Sequence, residues 1–483
     1  MDPKGNQSTK VSGSGILINI NQLCISAPAL VFRMSPPLPV GFANSLGISQ
    51  PAICAGCGCL CDDIVLLPQK DNLEVNTRGC VKGQEWFSQT TATGPPALVD
   101  GKQVSLAEAI QHAALVLCQA NNSLIFGLER ITCEAAARVV AMADWLGANL
   151  DTTASFNQGP TGLAFQGVGE IACSLGEVRN RADFVVFWGA DPDRTHPRHT
   201  ERYSIHPPGI HVPLGRRGRF VVVVDPEDNQ TARQADLWLK PKPGRDFEIL
   251  WTLRALVQGL DVGNFDEEAN GVGIDQLCEL ATKMKSCRFG VLFFGQGLMT
   301  GTGHHLNADA AVGLAHDINA HTRFYARPLR GAGNPTGSDS VACWQTGYPF
   351  GINLARGFPK YNPGEFTTAA LLERNEPDAA LLVGVKPSDY LSQNHLKSLA
   401  GIPWIMVGNV DLKESVSAKV VIRTAPLATA TTGTVYRMDD ISLPLKAVIS
   451  SPVASDEEVL AQLEFAILAR LRAGLPAKSG EPV

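Results

Sequence analysis

Phe184-Val-Val-Phe-Trp188-Gly189-Ala-Asp191-Pro192 is a run of five β-branched or aromatic residues that stops at a glycine and an aspartate. An apolar run of this length, with no polar alternation, fits a strand covered on both faces. Phe220-Val-Val-Val-Val224 runs in the same way into Asp225-Pro-Glu-Asp228, and Val291-Leu-Phe-Phe294 into Gly295-Gln-Gly297. Such strands belong to parallel sheets, because the crossover helices cover both faces. In open α/β sheets, ligands collect outside the carboxyl ends of the strands. Gly189, Asp191 and Asp225 therefore stand where a nucleotide-like ligand would be held, although Gly and Asp at a strand end also simply build turns.

The same rhythm extends in both directions. Upstream, Ser105-Leu-Ala-Glu108 is a helix-capping pattern that opens a helix to about Cys118. It is followed by a strand at 123–127, a helix over 132–146 stopped by Gly147, and a short strand within 148–153. Downstream, Lys240-Pro-Lys-Pro-Gly244-Arg-Asp246 leads into a helix from about Phe247. Strands are predicted at 379–384, 402–408 and 420–423, and an amphipathic helix at 456–472. The expected organisation is an irregular N-terminal extension (1–50), a cysteine-rich lobe (51–100), one α/β domain (101–345), a second α/β unit (346–450), and a terminal helix and tail (451–483).

Between the extension and the first helix lies Cys54-Ala-Gly-Cys57-Gly-Cys59-Leu-Cys61-Asp-Asp63, closed by Cys80 in Arg78-Gly-Cys-Val-Lys-Gly83. Cys54, Cys57, Cys61 and Cys80 are separated by two, three and eighteen residues and can converge on one centre. The intervening glycines allow a sharp loop whose amides face the sulfurs, as iron–sulfur clusters require. A [4Fe-4S] cluster is the favoured reading. Four thiolates also satisfy zinc, although zinc ribbons usually pair two short Cys-x-x-Cys knuckles and Cys80 stands alone. Cys59 crowds both neighbours and reads as a bystander.

Composition narrows the function classes. The chain of 483 residues is 45% hydrophobic and only 18% charged, which suits several lobes whose surface is partly covered by partner subunits. A net charge of −6 gives no electrostatic case for nucleic acid or anionic membranes. Twelve cysteines without an evenly paired pattern point to a reducing, cytoplasmic compartment. The apolar stretch 16–40 is interrupted by Asn19, Asn21, Gln22 and Arg33, so it is neither a membrane span nor a convincing signal peptide. The Gly/Ser-rich start reads as disordered, and Met34 is an alternative first residue.

Several longer strings carry a resemblance. They are Arg181-Ala-Asp-Phe-Val-Val-Phe-Trp-Gly-Ala-Asp-Pro192, His196-Pro-Arg-His199-Thr-Glu-Arg-Tyr203, Thr132-Cys-Glu-Ala135 and Ser174-Leu-Gly-Glu177-Val-Arg-Asn180. Trp344-Gln-Thr-Gly-Tyr-Pro-Phe350, Tyr361-Asn-Pro-Gly-Glu365 and Gly433-Thr-Val-Tyr-Arg-Met-Asp439 join them. Over about residues 51–444 the chain resembles the B-type subunit of formylmethanofuran dehydrogenase, within the molybdopterin (dimethyl-sulfoxide-reductase-like) oxidoreductases. The resemblance implies an α/β, molybdopterin-oxidoreductase-like fold, with a small Cys-rich lobe and two doubly wound, Rossmann-like domains with mainly parallel sheets. It also implies a cluster on Cys54, Cys57, Cys61 and Cys80, beside tungsten or molybdenum held by two pterins. The pterin-nucleotide loops would be Gly189 to Asp191, Asp225, and Gly244 to Asp246.

One segment departs from the family. Where the family has a metal-ligating Cys or selenocysteine followed by His, this chain reads Ala154-Ser-Phe-Asn157-Gln158-Gly-Pro160. A neutral carboxamide is a poor substitute for a soft anionic ligand, and Gln cannot take the proton-transfer role of imidazole. Arg330, in Pro328-Leu-Arg-Gly331, matches the family's formate-pairing arginine and is retained.

Asn157, Gln158 and Arg330 thus outline an ancestral pocket whose redox step, and whose bis-pterin metal, are in doubt. The resemblance then favours a non-redox subunit of a formyltransferase/hydrolase complex, which converts formyl groups on a methanofuran-like carrier to formate. Its partners would be amidohydrolase-like and formyltransferase-like chains and the C-type chain of such complexes. The alternative is an active dehydrogenase subunit interconverting CO2 and formate. Elsewhere, His196 and His199 read as structural hydrogen-bonding groups, and His304-His305 as a solvated helix start.

Overall fold

Phe184–Trp188 lies at the centre of a five-stranded sheet ordered Leu237–Leu239, Phe220–Val224, Phe184–Trp188, Phe289–Phe294, Arg323–Pro328, with every pairing parallel. This arrangement comes from a computed structural model that describes residues 50–68, 73–75, 78–88, 94–299, 304–409 and 415–474, all within one compact unit. The predicted extension through residue 49, with both candidate starts, and the tail from 475 onward lie outside the described residues.

The uninterrupted apolar run has the reason expected for it. Phe184, Val186 and Trp188 face one core, which includes the helices Asp246–Val257, Ile274–Ser286 and His304–Ile318. Val185 and Phe187 face another, which includes Leu175, Val178, Tyr203 and the cysteine loop. With side chains alternating across the sheet, a strand covered on both faces must be apolar at every position.

A nine-stranded sheet forms the other half. Its order is Lys360–Tyr361, Ile352–Asn353, Asn149–Thr152, Ser123–Gly127, Ala379–Val383, Trp404–Val407, Val420–Ile422, Ala97–Val99, Lys102–Gln103. The five strands from Asn149–Thr152 to Val420–Ile422 run parallel, and antiparallel pairs finish both edges. The sheet therefore draws on both sequence intervals 101–345 and 346–450, while the five-stranded sheet lies wholly within the first. Gln50–Ala52, Ile64–Pro68 and Leu73–Val75 form a small antiparallel sheet at the cysteine loop, and Gly433–Tyr436 pairs with Ser442–Leu445.

Local signals place the helices. Ser105 accepts the Glu108 amide at 3.2 Å at the head of Leu106–Gln119, and Thr132 accepts the Ala135 amide at 3.2 Å at the head of Cys133–Leu146. Gly147 ends the second helix in a left-handed conformation, φ 61°. The last helix, Asp456–Arg472, packs on these two through Val459, Leu460, Leu463 and Ile467. Among the described residues no helix is long and apolar enough to cross a membrane.

Asp456 yields a pH prediction. It is 2% exposed, accepts the Thr424 hydroxyl, and burial pushes its carboxyl up to about 7. The folded value lies above the unfolded one of about 3.9, so the stability this group contributes is complete below pH 4 and is lost as pH rises toward 7. Asp456→Asn keeps the acceptor and removes the charge. The urea-unfolding difference between variant and wild type is expected to shift in the variant's favour by about 2 kcal/mol between pH 5 and pH 8.

Candidate functional site

The cysteine loop closes on itself through the Cys54 amide donating to the Cys61 carbonyl at 2.9 Å and the Leu60 amide to the Cys57 carbonyl at 3.2 Å. Leu60 takes a left-handed φ of 37° to complete the turn. Cys54, Cys57, Cys59 and Cys61 are buried, while Cys80 is half-buried ahead of the helix Val81–Ser88. Burial pushes the Cys54 thiol far up, and Cys57, Cys61 and Cys80 each add to the rise, so these three lie within electrostatic reach of Cys54. The Cys59 thiol's hydrogen bond brings Cys57 down to about 6, helped by His196 and Lys82 and against the effect of burial. Burial raises Cys61 to about 11, opposed by a hydrogen bond from Arg202. The Gly56 amide points at the Cys54 sulfur, 3.5 Å away. Among the described residues no group of three or more His, Cys, Asp or Glu closes around a single ion.

The motif 196–203 holds this loop in place. Arg198 forks onto both oxygens of Asp63 at 2.6 and 2.7 Å, and Arg202 reaches Asp62 at 2.9 Å. His196 Nε2 meets the Arg330 carbonyl at 2.7 Å, and its Nδ1 meets the Thr195 hydroxyl at 2.9 Å. His199 is fully buried, bonded to Ser204 at 2.9 Å and set edge-on to Phe293, and burial lowers it to about 3, so it stays neutral. Both rings make hydrogen bonds within the protein, as expected of structural histidines. His304 and His305 begin the helix His304–Ile318 on its exposed side.

The Arg330 carbonyl links the loop to a cavity. Besides His196 it accepts the Gly58 amide at 3.2 Å, and the Gly58 carbonyl accepts the Met438 amide at 3.0 Å. Behind this contact lies a cavity of about 360 Å³ lined by Gln158, Arg330, Asp339, Cys343, Glu170 and Asp440, among others. Gln158 and Arg330 meet there. Asn157, the last residue of the short helix Ala154–Asn157, is half-buried and does not line it. Gln158 accepts the Thr161 hydroxyl at 3.3 Å. The Arg330 guanidinium pairs with Asp339, which also accepts the Thr152 hydroxyl at 2.7 Å. An arginine already neutralised by a buried carboxylate is better suited to bracing than to gripping a free anion.

Four wall residues were not singled out from the sequence. Cys343 is an exposed residue whose thiol, partly desolvated at the cavity wall and with Asp339 nearby, is pushed up to about 11. Glu170 and Asp440 share the buried Arg327 at 2.6 and 2.7 Å, and burial together with Asp440 raises Glu170. Nothing local marks Glu170, Asp339, Asp440 or Cys343, since their neighbours come from distant chain segments. A pterin-held metal would need an anionic sulfur or selenium here. The segment that the family uses for that ligand does not fit the role, because it supplies only the neutral carboxamides of Asn157 and Gln158.

The predicted nucleotide loops lie elsewhere, at the carboxyl end of the five-stranded sheet. Gly189 has φ 54°, and a Cβ there would stand 2.5 Å from the Leu298 amide, so the two strand-end loops touch backbone to backbone. Asp191 accepts the Thr231 hydroxyl at 2.7 Å, Asp225 the Glu227 amide at 2.9 Å, and Asp246 the Trp188 indole at 2.7 Å. Burial raises Asp225 and Asp246, and each also feels a neighbouring carboxylate. Gly244 turns the chain into the helix Asp246–Val257 with φ 79°. None of these five lines the Arg330 cavity.

No family model matches the chain. Over 424 residues it is 38% identical to the B-type subunit of the tungsten-containing formylmethanofuran dehydrogenase 2 of Methanocaldococcus jannaschii, covering 86% of this chain and 97% of that protein. The protein of the same name from Methanococcus maripaludis is 34% identical over 426 residues, with 86% and 98% covered. The B-type subunit of the formyltransferase/hydrolase complex Fhc of Methylorubrum extorquens is 22% identical over 301 residues, 60% of this chain and 75% of that one. Among solved structures, a chain of the M. extorquens FhcABCD complex with methylofuran superposes with TM-score 0.63 at 20% identity, covering 78% of this chain and 99% of that one. Acetylene hydratase from Pelobacter acetylenicus gives TM-score 0.63 at 13% identity, covering 88% and 70%. At these identities the two structures establish a shared α/β fold with parallel sheets.

Proposed function

The chain belongs to the family of formylmethanofuran dehydrogenase B-type subunits, and from that premise we propose that it is a non-redox subunit of a one-carbon complex of the formyltransferase/hydrolase kind. One observation carries the reading. In the segment that borders the cavity beside the cysteine loop, the positions that the family fills with an anionic ligand and an imidazole hold two carboxamides, Asn157 outside the cavity wall and Gln158 within it. Neither ionises near neutrality, so neither tunes a metal nor moves a proton. The Arg330–Asp339–Thr152 chain supports a bracing role for the retained arginine. In the complex, formyl groups on a methanofuran-like carrier would be converted to formate by amidohydrolase-like and formyltransferase-like chains. A C-type chain would complete the assembly, in the cytoplasm.

Cys54, Cys57, Cys61 and Cys80 would hold a [4Fe-4S] cluster. The soft thiol set, buried at Cys54, Cys57 and Cys61 and half-buried at Cys80, and the Gly56 amide aimed at Cys54 suit one, and zinc is the competing occupant. The cluster would supply a cross-link between the loop and the Cys80 segment, as structural metals do. The loop's own bonds to Arg330 and Met438 would carry that rigidity to the cavity wall.

A second reading has specific support. The identities of 38% and 34% are to tungsten-containing dehydrogenase subunits, against 22% for the Fhc subunit. That favours an active dehydrogenase subunit interconverting CO2 and formate. Elemental analysis of the purified complex, run beside formate-dependent dye reduction, separates the two. Iron without stoichiometric tungsten or molybdenum, and no dye reduction, is the expected result. Stoichiometric tungsten or molybdenum with activity would overturn the non-redox reading, and zinc in place of iron would overturn the cluster.

A further inference from the structure

The last helix, Asp456–Arg472, buries one face against the core and leaves the opposite face uncovered. Phe465 stands at the middle of that open face, 75% exposed, beside a groove of about 370 Å³ that Ile110, Gln111 and Ala461 also line. A single exposed phenylalanine is ordinary and by itself names no partner. Its neighbours along the helix do. Glu458 and Arg472 lie seven residues to either side of it, and Ala461 and Ala469 lie four to either side. At 3.6 residues per turn, seven residues return to within about 20° of the same direction and four to within about 40°. All five therefore share one face, and none of them is buried.

That face is its own complement. Laid antiparallel on a second copy about a twofold axis through Phe465, it sets Phe465 against Phe465, Ala461 against Ala469, and Glu458 against Arg472. An isologous contact requires this of a patch, because whatever lies on one side of the axis must suit what lies equally far on the other. The alanines let the two helices approach, and the grooves beside them can receive the aromatic rings. Other charges of the helix are engaged within the chain, Glu457 and Glu464 with Arg138 and Arg470 with Gln111. Glu458 gives Oε2 to the Ser455 cap, and Arg472 is exposed. The axis brings together an acid and a base that both reach solvent.

We propose that this face is an interaction surface for a second copy of this chain, the two Asp456–Arg472 helices crossing antiparallel at Phe465. The contact lies away from the cysteine loop and the Arg330 cavity, so it stands whether or not the chain carries redox chemistry.

Sedimentation velocity of the purified complex over a range of concentrations reads the pairing. Phe465→Glu should weaken it by about thirtyfold or more, the scale of losing a central aromatic anchor. At dilutions where the wild type is also unpaired, its melting temperature should match wild type, so the loss is not misfolding. Arg472→Glu should weaken pairing about tenfold, because the axis repeats the repulsion at both ends. Adding Glu458→Arg to it should restore most of the affinity. Phe465→Cys, mildly oxidised, should give a covalent pair of this chain on a non-reducing gel that the wild type does not give. Ala469→Cys should not, since its twin would lie about 12 Å along the helix, too far for a disulfide. Absence of pairing, pairing unaffected by Phe465→Glu, or cross-linking at 465 to a different subunit would each overturn the proposal. Equal cross-linking at 465 and 469 would overturn the antiparallel register.

Discussion

Asp151→Ala is expected to destabilise the protein by about 4 kcal/mol, the largest effect of a single side chain outside the apolar cores. Asp151 is fully buried in the strand Asn149–Thr152, and burial raises its carboxyl to about 6, so near pH 7 it is mostly ionised. One oxygen accepts the Gly351 amide at 3.0 Å, and the other accepts the Thr368 amide at 2.7 Å and the Ser155 hydroxyl at 2.8 Å. Alanine strands two buried backbone donors, each costing about 1–3 kcal/mol, and the cavity it leaves adds to that. Asp151→Asn keeps a single carbonyl acceptor and should cost about half as much. Urea unfolding would give the magnitudes, and hydrogen exchange at Gly351 and Thr368 would give the location. A loss below about 1 kcal/mol, with both amides still protected, would mean that the carboxylate is not the group holding those segments.

Gly58→Ala is expected to cost about 3 kcal/mol and to disturb both the cysteine loop and the Arg330 cavity. A methyl group there would stand 2.5 Å from the Arg330 carbonyl oxygen and 3.1 Å from the Met438 Cβ. Backbone cannot swing aside as a side-chain tip can, so the Gly58–Arg330 and Gly58–Met438 hydrogen bonds would break. The displaced carbonyl is the one that also receives His196, so the shift would reach the motif 196–203. Gly331→Ala is the control, because a Cβ there meets nothing within 4 Å and should change stability by no more than about 0.5 kcal/mol. Lower metal content in Gly58→Ala, with wild-type content in Gly331→Ala, would tie the loop's geometry to its occupant. Equal stability of the two variants would refute the clash.

Both predictions rest on contacts that no sequence window contains. Asp151 lies 200 residues from Gly351, and the partner of Gly58 is Arg330. The strand 184–188, the caps at Ser105 and Thr132 and the stop at Gly147 were legible because their causes are local. Side-chain alternation, an oxygen within three residues of an amide, and a left-handed φ all act within a few positions. The tight turn at Cys54–Cys61 was legible for a related reason, since closely spaced glycines allow the chain to double back within a few residues.

The sequence alone therefore determined an α/β chain with buried parallel strands, a cysteine-rich loop near its start, family membership, and the amides at 157 and 158. The tertiary structure decided how the strands are shared out. It set those at 97–152 beside those at 352–422, because register and neighbour follow from which apolar faces can be buried together. It also left Asn157 outside the wall of the cavity that Gln158 lines, and it gathered Asp339, Glu170, Cys343 and Asp440 with Arg330 in that wall. Burial, pairing and charge balance arise between residues hundreds of positions apart, and only the folded chain brings them within range of one another.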